Sequence, residues 1–320
     1  MTMRRKWKMI NLFDKFNAMD RTIKDIQYPI AIKGAIKAYY GLSTDGLFRI
    51  AFLSSHETNV QGTTKSIAVV QGDGGSGNYW TCFDLRNDDL LSVFCCFGED
   101  IISCIEDETS ETIAASKLRG RYKTWLALFK KPRSALSKEK AQGLFGELYF
   151  LKNTILSTYD GSKSINGWSG PDKYSKVFAI DNTWFEIKTI GSFSPVVKIS
   201  SLQQLSANND GYLIVLRVEE MAPAYVGTDS SINSLIQSIV SELISTDLKD
   251  LFLSKVSEYG YDFSDEIGDK KYAVKGQQRY LVDKKFPILR ESDIHSNAVN
   301  NISYELIIKQ IQEWLKEDEK

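Results

Sequence analysis

The sequence predicts a two-domain chain of the α+β or α/β class. A β-rich N-terminal domain ending in a basic helix is expected over residues 1–132, and a mixed β-sheet flanked by helices over residues 133–320. Three observations lead there. Short β-prone runs separated by glycine and polar turns fill the first hundred residues. A helical stretch breaks at Pro132 in "KKPRS". Beyond it the order is helix, hairpin, strand, helix, strand, which packs as a mixed sheet with helices against it. At 320 residues the chain also exceeds the usual size of one domain.

In the first region the strands are "GLFRIAFLS", "KSIAVVQ", "NYWTCFDL" and "LLSVFCCF". "GDGGSG", Gly72 to Gly77, satisfies the dinucleotide pattern GxGxxG and follows the strand-like "SIAVV". A dinucleotide loop must open a helix, and "NYWTCF" is aromatic and β-prone, so a hairpin loop is expected and no organic cofactor. From Glu111 to Lys131, Ile113, Leu118, Trp125 and Leu128 mark a helix among basic residues.

In the second region Ser137 caps a helix with Leu144, Leu148, Leu151 and Ile155 on one face. Gly143 and Gly146 would each weaken an isolated helix by about 1 kcal/mol, so close packing is expected at them. "GSKSINGWSGPDKYS" reads as a loop, and "KVFAIDNTWFEIKT" as a β-hairpin turning at Asp181 and Asn182. "PVVKISSLQQL" is a strand entering a helix, and "GYLIVLRVEE" a buried strand. Helices follow at about 231–244 and 248–259, then strands over 272–282, and a final amphipathic helix carries Ile307, Ile311 and Trp314.

Composition is that of an ordinary globular protein, with 42% apolar and 25% charged residues. Apolar runs such as "YLIVL" are far shorter than the ~20 residues of a membrane span, and the start lacks a signal core, so a cytoplasmic protein without membrane association is expected. Cys82, Cys95, Cys96 and Cys104 lack paired CxxC spacing and read as buried free thiols. His56 and His295 have no nucleophile partner in motif spacing. The net charge of -1 hides a local asymmetry: Lys117 to Lys140 holds nine bases against Glu139 alone. A solvated helix face explains this, and so does a phosphate-binding ridge of Lys117, Arg119, Arg121, Lys123, Lys130, Lys131 and Arg133.

The chemistry lies in the hairpin. Residues two apart share a strand face, so Trp184, Glu186 and Lys188 point one way and Phe185 and Ile187 toward the core. With a two-residue turn, Ile180 pairs with Thr183 and Val177 falls opposite Glu186. A carboxylate at that position would complete a pair able to hold a divalent ion, and the chain has valine there. Phosphodiester hydrolysis uses such an ion, with a lysine to orient the attacking water or stabilise the oxyanion. A surface ExK pair on an amphipathic strand is the plainer explanation of the spacing alone.

The wider pattern resembles the PD-(D/E)XK nuclease superfamily, and within it a family of PD-(D/E)XK-motif proteins found among bacterial restriction and phage-defence genes. "GLFGELYFL" (Gly143 to Leu151) resembles that family's glutamate-bearing helix, "GWSGP" (Gly167 to Pro171) its Trp-x-Gly-Pro turn, and "FEIKT" (Phe185 to Thr189) its ExK strand. "ISSLQQL", "FPILRESDI" and "ISYEL" resemble later segments. The resemblance implies a restriction-endonuclease-like core and a magnesium-dependent DNA endonuclease, with manganese as a substitute ion. Glu147 and Glu186 would be metal ligands, Lys188 the catalytic lysine, and Gln204 would line the site. The family's aspartate precedes a phenylalanine that is Phe178 here, so its position is Val177. Asp172 could replace it, although five extended residues from Val177 span up to about 17 Å, and Asp181 lies at the far end of the hairpin. Otherwise a neighbouring subunit, in a homodimer or with other components of a defence system, completes the site, or the chain is a non-catalytic DNA-binding or assembly subunit.

Overall fold

The computed structural model describes residues 10–128, 136–170, 176–261, 266–295, 298–299 and 302–319. The chain divides into two compact units, the first chiefly Met1–Arg133 with Val240–Ser257, the second chiefly Ser134–Ile239 with Glu258–Tyr261 and Asp265–Lys320.

The first unit opens with the short helix α1 (Leu12–Asn17), followed by strands β1 (Ile26–Ile30), β2 (Lys37–Leu42), β3 (Phe48–Ser54), β4 (Ile67–Gly75) and β5 (Asn78–Leu85). They form an antiparallel sheet in the order β1-β2-β3-β5-β4. "GDGGSG" is the tip of the β4–β5 hairpin, where Ser76 and Gly77 both take positive φ (53° and 77°), as a tight two-residue turn between twisted strands requires. Helices α2 (Leu91–Ile105) and α3 (Glu111–Leu128) complete this unit's core, with Phe83, Phe97, Tyr122 and Trp125 in ring contact. Here the expected strand "LLSVFCCF" is corrected to the start of α2. Its residues are buried almost all round, so the run carries no helical periodicity to read.

In the second unit α4 (Lys138–Phe150) starts at the Ser137 cap, whose hydroxyl accepts from the Lys140 N–H. It passes through a π-helical turn (Leu151–Ile155) into the single turn α5 (Leu156–Thr158). The expected loop after it contains a helix, α6 (Gly161–Gly167), capped by Asp160. Strands β6 (Phe178–Ile180), β7 (Thr183–Gly191), β8 (Val196–Ile199) and β9 (Gly211–Met221) follow, then α7 (Ile232–Glu242), α8 (Thr246–Glu258), with most of α8 in the first unit, and β10 (Lys271–Val282). The expected final helix is corrected to β11 (Tyr304–Ile307), a 3-10 segment (Ile308–Trp314) and β12 (Leu315–Glu319). Pairing explains the change: β11 extends β8, and β12 closes the edge of β10. The five-stranded sheet runs β12-β10-β9-β7-β6, with β7 and β9 parallel and the other pairs antiparallel. This mixed sheet flanked by helices is consistent with a restriction-endonuclease-like fold. Among the described residues no helix is long and apolar enough to cross a membrane.

Candidate active site

The β6–β7 ribbon has the register that the sequence suggests: Ile180 pairs with Thr183, Ala179 with Trp184 and Phe178 with Phe185. Asp181, with φ 52°, occupies the left-handed region at the turn. Continuing the register brings Val177 to Glu186, and the Val177 backbone N–H donates to the Glu186 carboxylate. The expectation that only Phe185 and Ile187 face a core is corrected, because Trp184, Phe185, Glu186 and Ile187 are all buried. β7 is an interior strand of the sheet, covered on both faces.

Glu186 is 2% exposed. Its Oε1 lies 3.0 Å from Lys188 Nζ, which also donates to Gln204 Oε1 at 2.8 Å. That same amide oxygen accepts from the Ser200 N–H, so Gln204 is held and in turn holds the lysine. Burial pushes the Glu186 carboxyl above its ordinary range, against the pull of Lys188.

Glu147 reaches the site from α4. The helix lies close to β7 because Gly146 has no side chain: a Cβ there would stand 1.8 Å from Thr189 Oγ1. Phe150 meets Phe185 at 5.5 Å on the same side of the strand. Glu147 Oε2 accepts from Trp168 Nε1 at 2.9 Å and Oε1 from the Tyr259 hydroxyl at 3.0 Å. Burial raises its pKa to about 7, and the nearby charge of Glu186 adds to the rise while Lys188 opposes it. Lys188 and Glu186 are therefore in contact, and Glu147 is coupled to both through its field.

Sequence reasoning missed three contributors. Lys176 caps the carbonyls of Gln203, Gln204 and Ser206, sits 4.1 Å over the Trp184 ring, and is lowered to about 8 by burial. Its place at the head of the quoted hairpin was the available signal. Trp168, read from the sequence as part of the Trp-x-Gly-Pro turn, is a Glu147 donor, and Tyr259 is the other, 112 residues from Glu147 in sequence. Beside Trp184 opens a cavity of about 410 Å³ whose lining includes Asn209, Lys284 and Arg290.

The expected phosphate ridge fares differently. Arg121 is buried between Asp100 and Asp250 and is corrected from a phosphate contact to a core ion pair. Lys117 pairs with Glu108 at 2.9 Å and Arg119 donates to the Thr58 carbonyl, while Lys123 stands exposed. Lys130, Lys131, Arg133 and Asp172 lie outside the described residues. The cysteines are free thiols, three of them buried, and burial raises all four.

Carboxylate oxygens are the ligand type that a hard divalent cation takes, and magnesium commonly uses only one or two of them beside substrate phosphate. Glu186 and Glu147, two buried acids with a single lysine in direct contact, fit such an ion in kind. Among the described residues no group of three or more metal-ligating side chains is assembled.

A Glu-x-Lys strand inside a mixed sheet, with a glutamate-bearing helix packed on it, defines a nuclease-like fold. The family model described as "Putative PD-(D/E)XK family member, (DUF4420)" matches residues 9–309, and the chain belongs to that family. No curated protein and no solved structure matches the chain.

Proposed function

We propose that the protein is a PD-(D/E)XK-type DNA endonuclease of a bacterial restriction or phage-defence system. The reading rests on one observation: Glu186 and Lys188 are in contact at 3.0 Å, and Glu147 is electrostatically coupled to both. Glu186 and Glu147 would hold the magnesium ion, which supplies charge neutralisation at the scissile phosphate and an activated water. Lys188, positioned by Gln204, orients the attacking water or stabilises the developing oxyanion. Lys284 and Arg290, lining the cavity beside Trp184, supply positive charge for the DNA backbone.

The test incubates duplex DNA with protein and magnesium or manganese, comparing wild type with Glu186→Ala and Val177→Asp. Cleavage should vanish in Glu186→Ala and rise at least tenfold in Val177→Asp. Cleavage that is indifferent to Glu186→Ala removes the site.

A second reading follows from Val177. With valine at the aspartate position, and with Val177 N–H and Lys188 already satisfying Glu186, the cluster serves as a structural ion pair in a non-catalytic DNA-binding or assembly subunit. Salt-sensitive DNA binding without cleavage in wild type or Val177→Asp selects this reading.

A further inference from the structure

The first unit contains a cavity that the nuclease-type site does not use. Its sheet is two-faced by pleat: Phe83 packs toward α2, 5.1 Å from Phe97, and alternation sends Trp80 of β5 and Arg49 of β3 to the opposite side. There a cavity of about 330 Å³ has Asp25, Gln27, Arg49, Gly72 and Trp80 in its lining, with Val70 and Cys82 completing it. That volume lies at the small end of ligand sites, about 300 to 1,000 Å³. Asp25 precedes β1 and Gly72 belongs to β4, the two edges of the sheet, so the sheet curls into a trough to bring them together. Gly41 permits the curl, since a Cβ there would stand 1.8 Å from the Ile26 carbonyl oxygen.

The polar groups are built rather than incidental. Arg49 donates Nε to Asp84 Oδ1 at 2.6 Å and Nη2 to Oδ2 at 2.8 Å, and Asp84 is 4% exposed. A side-on carboxylate of this kind fixes the guanidinium plane and leaves its outer fork, one N–H from each terminal nitrogen, for a ligand. Trp80 forms an aromatic wall, braced by the edge of Tyr39 at 5.1 Å. Asp25 brings an exposed carboxylate acceptor to the same space.

We infer that this trough binds a single nucleobase carrying both a pair of adjacent acceptors and an exocyclic amine, that is, cytosine (O2 and N3, with N4 beside them) or guanine (O6 and N7, with N2 on the other side of N1). Arg49 donates to the acceptor pair, Asp25 accepts from the amine, and Trp80 contacts the base. Adenine lacks the adjacent acceptor pair, and thymine lacks both the pair and the amine, so neither matches both charged groups. A base delivered within DNA deepens the nuclease reading and rests on it; a free mononucleotide would bind regardless of that reading.

Gly72 provides the test. It pairs with Trp80 on an ordinary strand, and a Cβ added there meets nothing within 4 Å, so Gly72→Val fills the trough without pressing on the core. Arg49→Ala is avoided because it would strand Asp84. Titration calorimetry with the four deoxynucleoside monophosphates is compared with thymidine pentamers carrying one central guanine, cytosine or adenine. Expected is at least a tenfold preference for guanine or cytosine over adenine and thymine, lost in Gly72→Val at unchanged melting temperature and weakened at least fivefold in Asp25→Asn. Preference seen with mononucleotides identifies a free-nucleotide site; preference seen only with pentamers identifies a DNA-borne base. Equal binding of all bases, binding that survives both variants, or no binding of either probe class overturns the inference. DNA cleavage that persists through that failure leaves the nuclease reading standing.

Discussion

Each unit buries a cluster of charges, and the two are balanced in opposite ways. In the first, Asp100 accepts from Arg121, Lys249 and the Trp125 indole, and Arg121 also reaches Asp250, so two acids meet two bases. In the second, Glu186 has Lys188 while Glu147 is held by neutral donors, Trp168 and Tyr259. The first arrangement matches acid with base inside the unit and joins α2, α3 and α8. The second leaves buried negative charge that a proton offsets when no cation does, the feature on which the proposed metal site rests. Burial of charge alone therefore does not distinguish the two clusters; the balance of acids and bases does.

That contrast can be broken most forcefully at Arg121. Arg121→Ala leaves Asp100 and Asp250 without their shared partner and should cost about 3–5 kcal/mol in urea unfolding. An effect below about 1 kcal/mol would place the first cluster with the exposed ion pairs.

Next is Glu147→Gln, expected to stabilise the protein. A carboxyl whose folded pKa is about 7 contributes stability below its unfolded value near 4.5, and loses it as pH rises through 7. The variant should match wild type near pH 4.5 and exceed it by up to about 3 kcal/mol above pH 7. A pH-independent difference in chemical denaturation would show that Glu147 is not protonated by its burial.

Gly146→Ala forces α4 off Thr189 and should cost about 1–3 kcal/mol. If the proposed function holds, it should also lower DNA cleavage about tenfold by displacing Glu147. The smallest effect is expected at Trp168→Phe, which keeps the packing and removes one hydrogen bond to Glu147, about 1 kcal/mol, with the carboxyl titrating at higher pH by infrared difference spectroscopy. A downward displacement of that titration would contradict the donor role.

Local signals in the sequence were sufficient for the ribbon and its helix. The Asp181–Asn182 turn sets the register, the Ser137 cap begins α4, and Gly146 marks the close packing made with Thr189. Elsewhere the pattern was degenerate. "LLSVFCCF" suits a strand or a fully buried helix equally, because neither leaves a polar face. The spacing of Ile307, Ile311 and Trp314 suggests a helix, but the unpaired edges of β8 and β10 take up the flanking residues as strands. Arg121 looked like one base in a ridge since its acids lie 21 and 129 positions away, and Tyr259 was invisible as a Glu147 partner for the same reason. Long-range polar pairing carries no short-range signature.

The π-helical turn at Leu151–Ile155 has a consequence for how the chain leaves α4. A widened turn acts as a phase shifter: deleting one of its residues, such as exposed Asn153, would restore regular winding and rotate everything downstream by about 100° relative to Glu147. Trp168 would then arrive out of phase and miss the carboxylate, although every side chain in the cluster had been kept.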